Sequence, residues 1–200
     1  LNVLPTSKQK PEEGSKELKT LKEIYDFYDN NKLRFENLAS NVTGYLIKKS
    51  AKDYKAGWIT KGSGDSGIDF IGRMDIGTGF GSAKVIVLGQ AKCESLNSPT
   101  GGNHIARTVA KLKRGWLGVY VTTSYFSDPV QIEILEDKYP LLLINGKKLA
   151  ELVNEIVFDQ GYKNVAEYLK KVDSEYEGLI QYRDPEEILF EWFKIFSEIF

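Results

Sequence analysis

The sequence has one cysteine, Cys93, one histidine, His104, and one methionine in 200 residues. A lone cysteine excludes an internal disulfide and a cysteine-rich zinc site, and a lone histidine excludes a histidine-clustered metal centre. Charge of one sign is missing as well. The 27 lysines and arginines face 28 acids, a formal net charge of −1. With no global basic field, contact with nucleic acid has to come from a local patch. No apolar run approaches the ~18 residues of a membrane span, and no signal peptide opens the chain. Both absences lead to the expectation of a soluble, cytoplasmic protein. Prolines number 6, two of them within residues 1–14, LNVLPTSKQKPEEG, which read as a linker or arm. No internal repeat is visible.

What is present is ordinary globular composition, 42% apolar and 28% charged. The length suits one domain with a real core. The pattern predicts helices at 15–29 and from Phe35 to about Leu46, the second with Phe35, Leu38, Val42, Tyr45 and Leu46 as its apolar stripe. Strand-like runs follow at 57–60, 68–73 and 84–92, the last two joined by the glycine-rich MDIGTGFGSA as a hairpin. A helix is expected from His104 to Arg114 with Gly115 ending it, then a strand at 117–123. Ser127-Asp-Pro opens a helix to about Lys138, LLLI at 141–144 is a strand, and Asn145-Gly146 reads as a turn. Helices at 163–172 and 185–200 complete the chain. This order predicts an α/β fold, a mixed central sheet flanked by helices, with extra helices at both ends. The expected division is an arm at 1–14, a main domain at 15–157 and a helical extension at 158–200 packed on it.

Two phrases carry the chemistry. GSGDSGIDFIGR places Asp69 in an apolar run, and VIVLGQAKCE ends another apolar run on Gln90-Ala-Lys92. Strand alternation sends Gln90 and Lys92 to one face, and an in-register hairpin brings Asp69 to the same patch. Asp69 and Lys92 then either form a cross-strand salt bridge, with Gln90 an ordinary polar residue, or serve a bound group. A carboxylate and neutral oxygens suit Mg²⁺, and an adjacent lysine can orient an attacking water and stabilise charge on a phosphoryl group.

In this order of elements the chain resembles the PD-(D/E)XK nuclease superfamily, with its αβββαβ core, and within it the Mrr-like restriction endonucleases. The resemblance runs from about Arg34 to Val153, on RFENLASNVTGYLI, GSGDSGIDFIGR, VLGQAK and the stretch beginning GVYVTTSYFSDP. It implies a metal-dependent DNA endonuclease, with Mg²⁺ as cofactor and double-stranded DNA as substrate. Asp69 resembles the metal-ligating acid, Gln90 the replacement for the usual second acid, and Lys92 the catalytic lysine. Glu36 resembles an additional helical acid, so the implied metal set is Asp69, Gln90, Ala91 and Glu36. Members of the family often carry Asp-Gly-Gly-Ile-Asp, whereas Ser66 here takes one glycine position, tolerable where φ is not positive. Gln90 leaves the site one charge poorer than a D/E-x-K site. Cutting both strands implies a homodimer or larger assembly. Such enzymes commonly join this fold to a separate DNA-reading domain, and the Leu1 start and linker-like arm fit one upstream.

Two other function classes fit the same residues. One is a catalytically silent DNA-binding module with a nuclease fold, and the other is a structural protein whose Asp69–Lys92 pair is only a salt bridge. Arg107, Lys111 and Arg114, at helical spacing, read as a phosphate-contacting face or as a solvated one. Thr122-Thr123-Ser124 reads as a phosphate contact or a turn, residues 95–104 as a flexible loop, and His104 as a helix-start residue. Asp65 is a lesser acid candidate, and Glu94 falls past the strand end. The last helix presents Ile188, Leu189, Trp192, Phe193, Phe196, Ile199 and Phe200 for core or partner packing.

Overall fold

The computed structural model describes residues 3–60 and 67–190, with His104 by its backbone alone. Asp65, Ser66 and the apolar face from Trp192 to Phe200 therefore lie outside the described residues. A short α1 (Thr6–Gln9) precedes α2 (Lys16–Tyr28), whose N-terminus is capped by Ser15 accepting from the Leu18 N–H. Then come α3 (Phe35–Lys48), β1 (Asp53–Thr60), β2 (Phe70–Ile76) and β3 (Ala83–Lys92). The chain continues through α4 (Gly102–Lys111), β4 (Leu117–Thr122), α5 (Asp128–Glu136), β5 (Leu141–Ile144), α6 (Gly146–Asp159), α7 (Val165–Leu179) and β6 (Ile180–Gln181).

The six strands form one mixed sheet in the order β5-β4-β3-β2-β1-β6. β1, β2 and β3 run antiparallel to their neighbours in that trio, whereas β3, β4 and β5 are parallel. Alternation along β3 divides the core. Val87, with Val119 and Val121 of β4, packs under α2, α3 and α6. Ile86 and Leu88 face the other way, onto Trp58, Ile71 and Ile188. Tyr120 lies beneath α4 and α5 with Ile105, Phe126 and Val130. Arg73, 2% exposed, donates through Nε and Nη2, one edge of its guanidinium, to the two carboxylate oxygens of Asp75 at 2.8 and 3.1 Å, and through Nη1 to the Ile188 carbonyl at 2.9 Å. That buried fork ties the tail of the chain to the sheet.

Several local expectations change. Asn145-Gly146 is not a free turn. Asn145 caps α6 by accepting from the Lys148 N–H at 2.9 Å, and Gly146 is the first helical residue, against the Thr123 carbonyl. α4 ends at Lys111 with Leu112 extended, so Gly115 (φ +81°) belongs to a later turn and Arg114 lies off the helix. α7 runs seven residues beyond the expected end at 172, to Leu179. Pro185–Leu189 is a 3₁₀ turn rather than the opening of an α-helix. The early arm is docked: Gln9 is buried, donating to the carbonyls of Leu4 and Phe126 and accepting from the Phe126 N–H.

Candidate active site

Asp69 immediately precedes β2 and continues its pairing, its N–H donating to the Gly89 carbonyl at 2.8 Å. One register step along β3 is Gln90, whose partner on β4 is Tyr120, and two steps further Lys92 pairs with Thr122. Asp69 Oδ2 accepts from the Ala91 N–H at 2.7 Å, which locks the carboxylate against the QxK strand. Burial pushes its carboxyl up to about 6, and the Ala91 N–H partly opposes that rise. Gln90 Oε1 accepts from the Thr108 hydroxyl of α4. Lys92 pairs with Glu94 at 3.7 Å. The structure thus brings Asp69, Gln90 and Lys92 together as the alternation argument expects.

Glu36 joins them from α3. It is 6% exposed, in the first helical turn, and accepts from the Tyr176 hydroxyl at 3.3 Å. Burial raises its carboxyl to about 8, the Asp69 charge contributes to that rise, and the Tyr176 hydroxyl opposes it. α7 fixes this helix end. Arg34 donates to Asp173 and, at 2.7 Å, to Glu177, and Asn37 donates to the Val172 carbonyl at 2.7 Å. The sign of the pH effect follows from the raised carboxyl. Below about pH 4.5 Glu36 is protonated in both states and costs nothing; as pH rises through about 8 the unfolded chain has released its proton and the folded chain gives it up only reluctantly. Stability is lost across that window. Glu36→Gln in chelator is expected to melt above the parent at pH 8, by on the order of 2–4 kcal/mol, with the gap closing towards pH 5. Parallel melting curves across that range would contradict the assignment.

Gly67, the glycine that this sequence keeps in the motif, lies two residues before Asp69. It holds φ +63°, and a Cβ there would stand 3.2 Å from the Arg107 Cβ. The left-handed position two residues before Asp69 is therefore glycine, and Arg107 of α4 packs on it. Arg107 and Lys111 are exposed on α4; Arg114, also exposed, follows beyond the helix end, so the three do not share one helical face. Thr122, Thr123 and Ser124 are at most 2% exposed and bond internally, which corrects the reading of them as a phosphate contact. The loop at 95–104 is tied down, with Ser98 accepting from Ser124 and Thr100 bridging to Phe126.

Two further residues lie against this patch. Tyr120 is fully buried, which raises its phenol, and the charges of Glu94 and Asp69 push it in the same direction. The parallel register of β3 and β4 sets it level with Gln90. Glu94 lies past the strand end, as expected, yet turns back to Lys92. Among the described residues no three acidic, histidine or cysteine side chains gather as a metal cluster. A cavity of about 650 Å³ between α3, β1 and α7, lined by Asn37, Ser40 and Ser174, contains none of the site residues. Among the described residues no helix is long and apolar enough to cross a membrane.

The chain is similar to the MspJI restriction endonuclease, solved in complex with a 27-mer oligonucleotide, at 43% identity and a TM-score of 0.88 over 94% of this chain. It is similar in fold to AspBHI, a DNA modification-dependent restriction endonuclease, at 24% identity and a TM-score of 0.73 over 88% of this chain. It spans 42% of the first of those chains and 44% of the second. A search of curated proteins returned no match. The family model for the restriction endonuclease catalytic domain of Mrr type matches residues 35–153, from the start of α3 to the middle of α6, and takes in Glu36, Asp69, Gln90 and Lys92. With more than half its length under that model, the chain belongs to the Mrr-like restriction endonuclease family.

Proposed function

We propose that this chain is the catalytic domain of a divalent-metal-dependent deoxyribonuclease, centred on residues 15–157, that hydrolyses phosphodiester bonds of double-stranded DNA. The observation that carries the reading is the meeting of Asp69, Gln90 and Lys92 on one patch, with the buried Glu36 charge-coupled to Asp69. Two neighbouring shielded carboxylates repel one another, and a hard cation between them relieves that repulsion. The donors fit Mg²⁺: carboxylates from Asp69 and Glu36, the amide oxygen of Gln90, and the main-chain oxygen of Ala91. Gln90 Oε1 accepts one hydrogen bond from Thr108, and an amide oxygen has a second lone pair. When bound, the cation supplies Lewis acidity at a phosphoryl oxygen.

The chain's own groups account for the rest. In hydrolysis a water oxygen bonds to phosphorus as the water gives up one proton, the bond from phosphorus to the leaving sugar oxygen breaks, and that oxygen takes up a proton. Lys92 orients the water and stabilises the negative charge that grows on the phosphoryl oxygens. Asp69, locked by Ala91, and Gln90, locked by Thr108, are preorganised for this task. The silent-module reading is not favoured, because every polar member of the set is present. Two-strand cutting would use two copies, as a homodimer or larger assembly, and sequence choice is assigned to a DNA-reading domain elsewhere in the full-length protein. The test is plasmid DNA with Mg²⁺: nicking or linearisation supports the reading, and an intact plasmid overturns it.

Arg107, Lys111 and Arg114 are proposed to position the duplex through its phosphates. Changing all three to alanine should weaken DNA binding. The plot of log affinity against log salt should also flatten, by about one unit for each phosphate no longer neutralised. A binding titration at several salt concentrations reads this directly. An unchanged slope would remove these residues from the interface.

A further inference from the structure

The structure assigns a positioning role to Glu94, which holds the Lys92 ammonium in place through a carboxylate that Thr100 and Thr122 have themselves immobilised; the inference rests on the nuclease reading of Lys92. Glu94 Oε2 lies 3.7 Å from Lys92 Nζ. Its other oxygen, Oε1, accepts from the Thr122 hydroxyl at 3.1 Å and from the Thr100 hydroxyl. The two threonine hydroxyls are themselves 3.1 Å apart. The main chain of Glu94 is held as well, its N–H donating to Thr123 Oγ1 at 2.8 Å and its carbonyl accepting from that hydroxyl at 2.6 Å. Thr100, fully buried, is anchored by donating its N–H to the Tyr125 carbonyl at 2.8 Å.

A surface ion pair between two free side chains contributes little, because both lose rotamer freedom. Here one partner has already lost it. Glu94 is only 15% exposed and its orientation is set by three threonines, so the flexible lysine meets a rigid acceptor. Glu94 follows Lys92 by two residues, Thr122 is the register partner of Lys92, and Thr100 arrives from the loop after β3. The arrangement leaves one carboxylate oxygen for the threonines and one for the lysine. Because a misplacement of about 1 Å at a reacting group can cost about 100-fold in rate, this is a determinant of turnover rather than of DNA affinity.

The test measures plasmid cleavage with Mg²⁺ for the parent and for Glu94→Gln, Thr100→Val and Thr100→Ser, together with melting temperatures. Glu94→Gln keeps the shape but loses the charge, and kcat should fall by about 10–100-fold with KM for DNA unchanged. Thr100→Val, which cannot donate to Glu94, should lower kcat in the same way. Thr100→Ser keeps the hydroxyl and should retain kcat, although its missing methyl lowers the melting temperature. A purely structural role would make kcat follow melting temperature across both Thr100 variants, and that pattern overturns the inference. If Glu94→Gln does not fold, the Thr100 pair decides. A parent that cuts alongside a Glu94→Gln variant with parental kcat sinks this inference alone; a parent that does not cut sinks the nuclease reading and this inference with it.

Discussion

Asp69→Asn is expected to abolish strand cleavage while melting at or above the parental temperature. The substitution is isosteric, and the new amide oxygen can still accept from the Ala91 N–H that now binds Asp69 Oδ2 at 2.7 Å. What disappears is a shielded negative charge that burial raises to about 6 and that in turn raises Glu36. A folded state relieved of that charge is more stable above neutral pH, where the parent carries it. Catalysis moves the other way. Losing several kcal/mol of transition-state stabilisation, at about 1.4 kcal/mol per decade, lowers the rate by at least about a thousandfold. DNA affinity should persist, since a negative charge facing phosphate has been removed. The check is a melting curve, a DNA titration and a nicking assay on one preparation. A variant that unfolds would make Asp69 a structural residue, and one that cuts at the parental rate would remove it from the chemistry.

Gly89→Ala should be the most damaging single change to the fold among those adding only a methyl group near the site. Gly89 pairs in register with Phe70, whose ring lies over it, and a Cβ would fall 1.9 Å from the Phe70 Cζ. Phe70 is fully buried in the core beneath α3, so the ring has nowhere to retreat. Overpacking of this kind costs about 3 kcal/mol, and each kcal/mol moves the midpoint by about 2–4 °C in a domain of this size. The flanking residues make the effect more than structural. Phe70 adjoins Asp69 and Gly89 adjoins Gln90, so pushing the strands apart also separates the site pair. Cleavage measured below the onset of melting should therefore fall along with stability. A parental midpoint would show that the sheet relaxes here at little cost.

Much of the site was legible because period-two alternation needs no tertiary information. Gln90 and Lys92 share a face by spacing, and the hairpin from Phe70–Ile76 to Ala83–Lys92 delivers Asp69 beside them. Glu36 was legible only through the family resemblance. Helical spacing put it off the apolar stripe, and its burial depends on α7, more than 130 residues away along the chain, where Tyr176 covers it. Glu94 was hidden for a related reason. Alternation stops being a guide where the strand ends, and the threonines that orient Glu94 come from β4 and from a loop that read as a flexible connection. Arg114 was placed on a helix because Gly115 resembles a C-terminal cap, but the chain turns extended at Leu112 and uses that glycine in a later turn. Asn145-Gly146 was ambiguous in the same way, since asparagine serves turns and helix caps alike. Packing of Gly146 against the Thr123 carbonyl selects the cap.

The central claim is that Asp69, Gln90 and Lys92 form a metal-dependent phosphodiesterase rather than a polar patch on a sheet. It is tested most directly by following supercoiled plasmid with the parent chain and with Lys92→Ala, each in Mg²⁺ and in excess chelator. The account predicts cutting by the parent in Mg²⁺ alone, with no cutting in the other three reactions and both proteins fully folded. Undiminished cutting by Lys92→Ala, or by the parent in chelator, would contradict it.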